Sequence, residues 1–331
     1  MLEFRPFKPR AGSNCQRKWR RSTLRAPYLL IGHPMRRSTL AVAGIALFAS
    51  SLISSSAQAQ QGRDDATFIW SKQLADGARL TIRNGDGPIS VRESTGNRIE
   101  VRAAKIVRAR GAARDVAFDV HESDGDVEIC TLYDQQDSCR DRNRGTHNVR
   151  VRVEYTVLVP RSTRVNIATG NGDLTIERAG ADVSATTGNG KINIGETAGR
   201  VDATTGNGDV TVESANGPVK VGSGNGRIFV TTAQGGVSAN TGNGDVDVRM
   251  KSATSDSDMS FNSGSGSIRV SLPADFNGRI DASSGNGSLQ SDFEISVIGR
   301  LDSHHVRGTI GKGGPLLRLN TGNGRIELRK N

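Results

Sequence analysis

Apolar side chains recur at every second position, in short bursts, along the C-terminal half of this chain. Leu174 and Ile176, Ile192 and Ile194, Val210 and Val212, Ile228 and Val230, and Val246 and Val248 form one set. Val183 and Ala185, Val201 and Ala203, Val219 and Val221, and Val237 and Ala239 form a second set that alternates with the first. A period of two predicts strands with one buried face, because successive side chains point to opposite sides of the pleat. Each first-set burst follows a Gly-Asn-Gly triplet and ends in a small turn holding Gly180, Gly199, Gly217 or Gly235. Proline keeps to turns (Pro88, Pro218), and residues 61–331 offer no convincing long amphipathic helix.

The triplet occurs seven times, centred on Asn171, Asn189, Asn207, Asn225, Asn243, Asn286 and Asn323, with Gly85-Asp86-Gly87 and Gly264-Ser265-Gly266 as variants. The first five centres are evenly spaced, from Asn171 through Asn243. The later intervals, to Ser265, Asn286 and Asn323, are longer. The last is the longest and is expected to span one degenerate repeat. A unit this short has too few apolar side chains for a core of its own, and stacking identical units buries a continuous one. The pattern therefore predicts an all-β, parallel β-helix or β-solenoid over 161–331, with rungs of ~18 residues. Glycine is expected at the bend for its access to positive φ, and Asn for its tolerance of the left-handed region. Stacked Asn side chains could hydrogen-bond from rung to rung as a turn ladder.

In-register stacking makes columns. Asp173, Lys191, Asp209, Arg227 and Asp245 follow successive triplets and form a ladder of alternating charge, each exposed neighbour pair worth a few tenths of a kcal/mol. Thr169, Thr187, Thr205, Ser223 and Thr241 share the parity of the inward residues and are expected to cap the core at the bend. Thr186, Thr204, Gly222 and Asn240 form a broken outward column, a poor ice-binding surface. Thr175, Glu177, Thr211, Glu213, Phe229, Asp247 and Arg249 point outward from one strand column and are the candidate binding face.

Residues 66–160 read as β-rich but lack the regular period of the repeats. They are assigned, within 60–160, to an irregular N-terminal β cap and the first rungs, with Trp70 as an anchor, because an open terminal rung is an unpaired edge. Arg329 and Lys330 are expected to guard the final strand at the other end.

Charge narrows the function. The chain has 331 residues and a net charge of +10, but ten of its 44 Lys and Arg and one of its 34 acidic residues lie in 1–60. The rest is near neutral, which removes the case for nucleic acid. Met35-Arg36-Arg37, the apolar run Leu40 to Ile53 and Ala57-Gln58-Ala59 match the three regions of a signal peptide over 35–59, cleaved before Gln60. Residues 1–34 then read as an extension from a start site assigned too early. The apolar run is too short for a spanning anchor, and the product is expected in the periplasm or at the cell surface of a bacterium. In that compartment Cys130 and Cys139 are expected to pair.

Site chemistry is sparse. Calcium between rungs would not tolerate Lys191 and Arg227 at the Asp positions. No phosphate loop is present. Asp173, Asp209 and Asp245 would stand two rungs apart, about 10 Å by strand spacing, a loose fit to a catalytic carboxylate pair. His304 and His305 are adjacent and point to opposite faces. No catalytic residues, metal ligands or cofactor are expected.

The segments LTIRNGDGPISV (Leu80–Val91) and VEYTVLVPRSTRVNIATGNGDLTI (Val153–Ile176), with the repeated TGNGDV, resemble bacterial candidate-adhesin domains of unknown function. These are related to the GIN head domains of auto-transporter adhesins. The resemblance covers about 66–330 and implies a right-handed parallel β-solenoid in the cell envelope with no assigned enzymatic activity. The reading is an exported binding or scaffold module with an envelope or surface protein or glycan as partner. An envelope polysaccharide-active enzyme and a self-assembling structural protein are the alternatives.

Overall fold

The computed structural model describes residues 65–107, 113–133, 138–139, 151–252, 257–297 and 304–331. The signal peptide expected at 35–59 and the extension expected at 1–34 lie outside these residues. Within them the chain is all β apart from one 3-10 turn, Ala113–Asp115, and forms a parallel β-solenoid of two sheets, with 12 and 13 strands.

Each rung is a strand, a triplet bend and a second strand, and is named here by the middle residue of its bend. In spatial order the rungs are Asp86 (Arg79–Asp86, Ile89–Glu93), Asn171 (Arg164–Asn171, Leu174–Ala179), Asn189 (Val183–Asn189, Ile192–Thr197) and Asn207 (Val201–Asn207, Val210–Ala215). Next come Asn225 (Val219–Asn225, Ile228–Thr232), Asn243 (Val237–Asn243, Val246–Met250) and Ser265 (Met259–Ser265, Ile268–Leu272). The last two are Asn323 (Leu316–Asn323, Ile326–Lys330) and Asn286 (Gly278–Asn286, Leu289–Ser291). Strands before the bend make the leading sheet; strands after it make the trailing sheet.

Register is strict. Val183 pairs with Val201, Ala185 with Ala203 and Asn189 with Asn207, and Ile192 pairs with Val210 and Ile194 with Val212. Both apolar sets are fully buried between the sheets, each side chain contributing about 1.5–3 kcal/mol on leaving water.

The bend explains the triplet, with one correction. At Gly208, φ is 147° and an added Cβ would stand 2.1 Å from the Gly190 carbonyl oxygen one rung away. Gly206 has no positive φ, but its Cβ would meet the Gly188 oxygen at 2.6 Å. Stacking distance therefore demands both glycines, and backbone conformation only the second. Asn does not take the left-handed region; among the described non-glycine residues only Asp124 has a positive φ. The Asn position is fixed instead by side-chain stacking, with Asn207 Nδ2 donating to Asn189 Oδ1 and Asn225 Nδ2 to Asn207 Oδ1, both at 2.8 Å.

The inward Thr column seals each bend. Thr187 Oγ1 donates to the Gly172 carbonyl and Thr205 Oγ1 to the Gly190 carbonyl, both at 2.9 Å.

The expectation for the long interval before Asn323 fails. Among the described residues no degenerate rung lies between Asn286 and Asn323. The chain builds the Asn286 rung, makes the strands Ile295–Val297 and His305–Ile310, and returns to insert the Asn323 rung beneath it. Leu319 pairs with Phe261 on one side and Ala282 on the other. Arg329 and Lys330 therefore sit on an internal strand, between Ile268–Leu272 and Leu289–Ser291, and do not guard the end. The end is closed by His305–Ile310, antiparallel to Gly278–Asn286, and by Ile295–Val297 beyond it.

The opposite end is plugged by large side chains. Val151–Val159 lies parallel to Ile89–Glu93, and Asp126–Tyr133 parallel to Arg79–Asp86; antiparallel strands cover both. Phe68 stacks on Phe118 at 4.6 Å, and Phe118 meets the buried Tyr155 edge-on. Trp70 is buried as an anchor. Tyr155 and Thr131 share a 2.6 Å hydrogen bond, and the Tyr133 hydroxyl donates to Asn84 Oδ1. Burial pushes both phenols well above the ordinary tyrosine range. Cys130 and Cys139 are joined by a disulfide, with Cα atoms 5.5 Å apart.

Candidate functional site

Outward positions of the trailing sheet form columns running from rung to rung. Thr175, Asn193, Thr211, Phe229, Asp247, Arg269 and Glu327 share the first column. Glu177, Glu213, Arg249 and Arg329 belong to the second column, one pleat further along the strands. The seven candidate face residues thus occupy one surface.

A groove of about 420 Å³ opens where this surface meets the bends of the Asn207, Asn225 and Asn243 rungs. Thr211, Phe229 and Asp247 line it, together with Asp209, Arg227 and Asp245 from the bend column. The structure therefore brings three face residues and three charge-ladder residues to one place. Thr175, Glu177, Glu213 and Arg249 share the face without lining the groove. The Arg249 guanidinium instead lies over the Phe229 ring, 5.4 Å from its centre.

The bend aspartates are held mainly by backbone. Asp173 accepts from the Lys191 N–H, Asp209 from the Arg227 N–H and Asp245 from the Ser267 N–H, each at 2.8 Å. The side-chain contact from Arg227 to Asp209 is long, at 3.9 Å. An Asp directly after the second glycine thus satisfies the N–H at the same point of the next rung, an Asx-type use of its short side chain.

Arg269, Glu327 and Ser267 also line the groove and were missed from sequence. Glu327 is 8% exposed and binds Arg269 Nε at 3.0 Å and Arg329 at 2.7 Å. The hydrogen bond from the Arg269 guanidinium holds the Glu327 carboxyl below the usual carboxylate range, against the opposing effect of burial. Arg269 also reaches Asp247 at 3.3 Å and is itself pushed up, first by its bond to Glu327. The Asp247 Oδ1 atom is buried without a hydrogen-bond partner, with Arg249 Nε 3.7 Å away. Glu327 escaped notice because it arrives on the returning C-terminal strand. The TGNG at Thr321–Gly324 marked its bend and parity, but sequence order could not say which rung it joins.

His305 and Asp281 meet on the other sheet, at 2.9 Å, with Arg307 on the second carboxylate oxygen at 3.2 Å. The His305 hydrogen bond lowers the Asp281 carboxyl. The acidic and sulfur groups of Glu128, Cys130 and Cys139 lie together, but the disulfide occupies both sulfurs.

Among the described residues no helix is long and apolar enough to cross a membrane. A family model described as Toastrack DUF4097 matches residues 78–329. Among solved structures, a candidate cell adhesion protein from Clostridium sporogenes ATCC 15579 is 14% identical over 80% of this chain and 100% of its own, at a TM-score of 0.22. A candidate adhesin from Bacteroides fragilis NCTC 9343 is 11% identical over 80% of this chain and 97% of its own, at 0.36. A candidate lipid-binding protein from Parabacteroides distasonis ATCC 8503 is 8% identical over 80% of this chain and 96% of its own, at 0.27. No curated protein matches the chain.

Proposed function

This chain belongs to the Toastrack DUF4097 family, and from that premise we propose that it is an exported, non-enzymatic module of the bacterial cell envelope. It binds a protein or glycan partner through the outer face of its trailing sheet. The observation that carries this reading is the groove at Phe229. An aromatic ring, a threonine hydroxyl and charged groups of both signs converge there on a rigid two-sheet frame. Such a surface offers one apolar anchor ringed by polar contacts, the usual anatomy of a recognition site.

Two further observations support the reading. Three of the four groove carboxylates are poorly placed as acids or bases: Asp209 and Asp245 already accept main-chain N–H groups, and Glu327 is held low by arginine. A general acid working near neutral pH needs the opposite shift. The Cys130–Cys139 disulfide suits an oxidising compartment and so the export read from residues 35–59.

Binding of the purified full chain to isolated envelope fractions tests the proposal. Phe229→Ala and Thr211→Ala are expected to weaken capture by about tenfold or more, the range of a lost central contact, with the melting temperature nearly unchanged. Unchanged capture would remove this face from the function. A glycan hydrolysis screen with Asp209→Asn as control separates the enzyme alternative; hydrolysis abolished by that variant would replace the binding reading.

A further inference from the structure

The second outward column of the trailing sheet carries a charge sequence with a centre of inversion. In spatial order it reads Arg92, Glu177, Gly195, Glu213, Thr231, Arg249, Ser271, Arg329 and Asp292, one residue from each rung. Ser90 and Val91 pair with Thr175 and Ile176, Thr231 with Arg249, Arg249 with Ser271, and Ser271 with Arg329. The register shifts once, between Val212 and Ala215, where Glu213 and Ser214 stand against Thr231. The further outward charges Arg178 and Glu196, beside this column, pair with each other at 3.1 Å. Asp292 follows the Ser291–Leu328 pair and accepts from the Lys330 N–H. About Thr231 every charge on one side is matched by its opposite at the same distance on the other: Glu213 by Arg249, Glu177 by Arg329, Arg92 by Asp292.

Such a column is complementary to itself when turned over. A two-fold axis lying in the face, along Ile228–Thr232, keeps each column in place and reverses the rungs. We propose that the outer face of the trailing sheet pairs with the same face of a second copy of this chain, about that axis. Glu213 then faces the Arg249 of the second copy, Glu177 its Arg329, and Arg92 its Asp292. Two identical ladders share one rung spacing, so the match cannot drift along the stack. Self-complementary patches of this kind define an isologous interface.

The first column permits the pairing. Its N-terminal side is uncharged, with Thr175, Asn193 and Thr211. They would meet Glu327, Arg269 and Asp247, which are already ion-paired within a copy. Phe229 lies on the axis and meets its own mate, giving the interface an apolar centre. Glu213 makes no ion pair among the described residues, and Arg249 is 58% exposed at its side chain. Arg92 and Glu177 touch each other within a copy, yet both side chains stay more than half exposed and open to a second partner. Like charges would meet only at the bend, where Asp209 faces Asp245 and Arg227 faces its own mate. Both carboxylates already accept backbone N–H groups, and they stand at the rim of the interface, beside Arg227.

Nine rungs span about 40 Å and a five-residue strand about 17 Å, a footprint somewhat below the roughly 800 Å² per partner of a standard stable interface. The dimer is therefore weak, reversible and sensitive to salt. This inference rests on the reading that the trailing face is the contact surface, and it names a second copy as an occupant of that face.

Sedimentation velocity of the purified full chain over a dilution series, at low and high salt, tests it. The wild type is expected to dimerise with rising concentration, less so in high salt. Arg249→Glu and Glu213→Arg should each weaken the dimer by about tenfold or more, because each reversal acts twice across the axis. The doubly reversed chain, Glu213→Arg with Arg249→Glu, should dimerise again. A mixture of the two single variants should form a heterodimer that neither makes alone. Circular dichroism of each variant checks that the solenoid is intact. A wild type that stays monomeric throughout, or variants that dimerise as it does, overturns the pairing. Envelope capture by the Phe229→Ala chain is read separately, so the pairing can fail while the binding face stands, and the reverse.

Discussion

The rungs from Asn171 to Asn243 and the rungs at Asn323 and Asn286 obey the same local rules but differ in how the chain reaches them. In the first group each rung is succeeded in space by the next in sequence, one repeat further on. In the second group the later segment lies inside the earlier one. Yet the sealing bond is the same: Thr321 Oγ1 donates to Gly266 and Ser284 Oγ to Gly324, at 2.7 and 2.9 Å, each to the rung beneath. The lattice of bends thus accepts any in-register unit, whatever its order. Closing a longer loop costs little, since the entropy of closure grows only with the logarithm of its length. Threading is decided elsewhere, by which rung the antiparallel cap can cover.

The largest expected effect tests whether the two groups share one lattice. Gly208→Ala puts a Cβ 2.1 Å from the Gly190 oxygen, and Gly324→Ala puts one 2.2 Å from the Gly266 oxygen. Each should cost about 3 kcal/mol or more, from overpacking against rigid backbone. Urea denaturation of both variants checks this. A Gly324→Ala chain as stable as wild type would mean that the Asn323 rung does not stack on the Ser265 rung.

A smaller effect concerns the side-chain ladder. Asn225 donates to Asn207 and accepts from Asn243, both at 2.8 Å. Asn225→Ala should cost about 1–2 kcal/mol for the two bonds. Ser265 interrupts the ladder where the regular rungs meet the inserted one, and Ser265→Asn should gain about 0.5–1 kcal/mol by bridging Asn243 to Asn323. Equal thermal stability of Ser265→Asn and wild type would mean that the two groups are not joined through their bends.

The smallest effect is electrostatic and local to the inserted rung. The Glu327 carboxyl is held below its usual range by Arg269. A lowered folded pKa contributes stability above the unfolded value, about 4.3 for Glu, and that stability is lost as pH falls through the folded one. Glu327→Gln should therefore cost about 0.5 kcal/mol at neutral pH, with the difference from wild type closing at low pH. Parallel denaturation curves across acid and neutral pH measure it. A difference that persists in acid would assign the loss to packing.

The sequence by itself determined the strands, the bends and the inward and outward sides, because alternation at period two and an evenly recurring triplet are local facts that stacking merely repeats. It also placed Thr211, Phe229 and Asp247 on one outward column, since parity fixes the face. Conformation alone, however, did not explain Gly206 or the Asn column; the first depends on the Gly188 carbonyl, one repeat away in the chain and one rung away in space. Only the tertiary structure decided that Arg269 and Glu327 complete the groove and that Arg329 belongs to an internal strand. The reason is that the apolar pattern of a rung specifies what it can stack on, and every rung here offers nearly the same surface. Order among equivalent neighbours is settled where the equivalence ends, at Phe276 and Phe293 and the antiparallel strands that close the Asn286 rung.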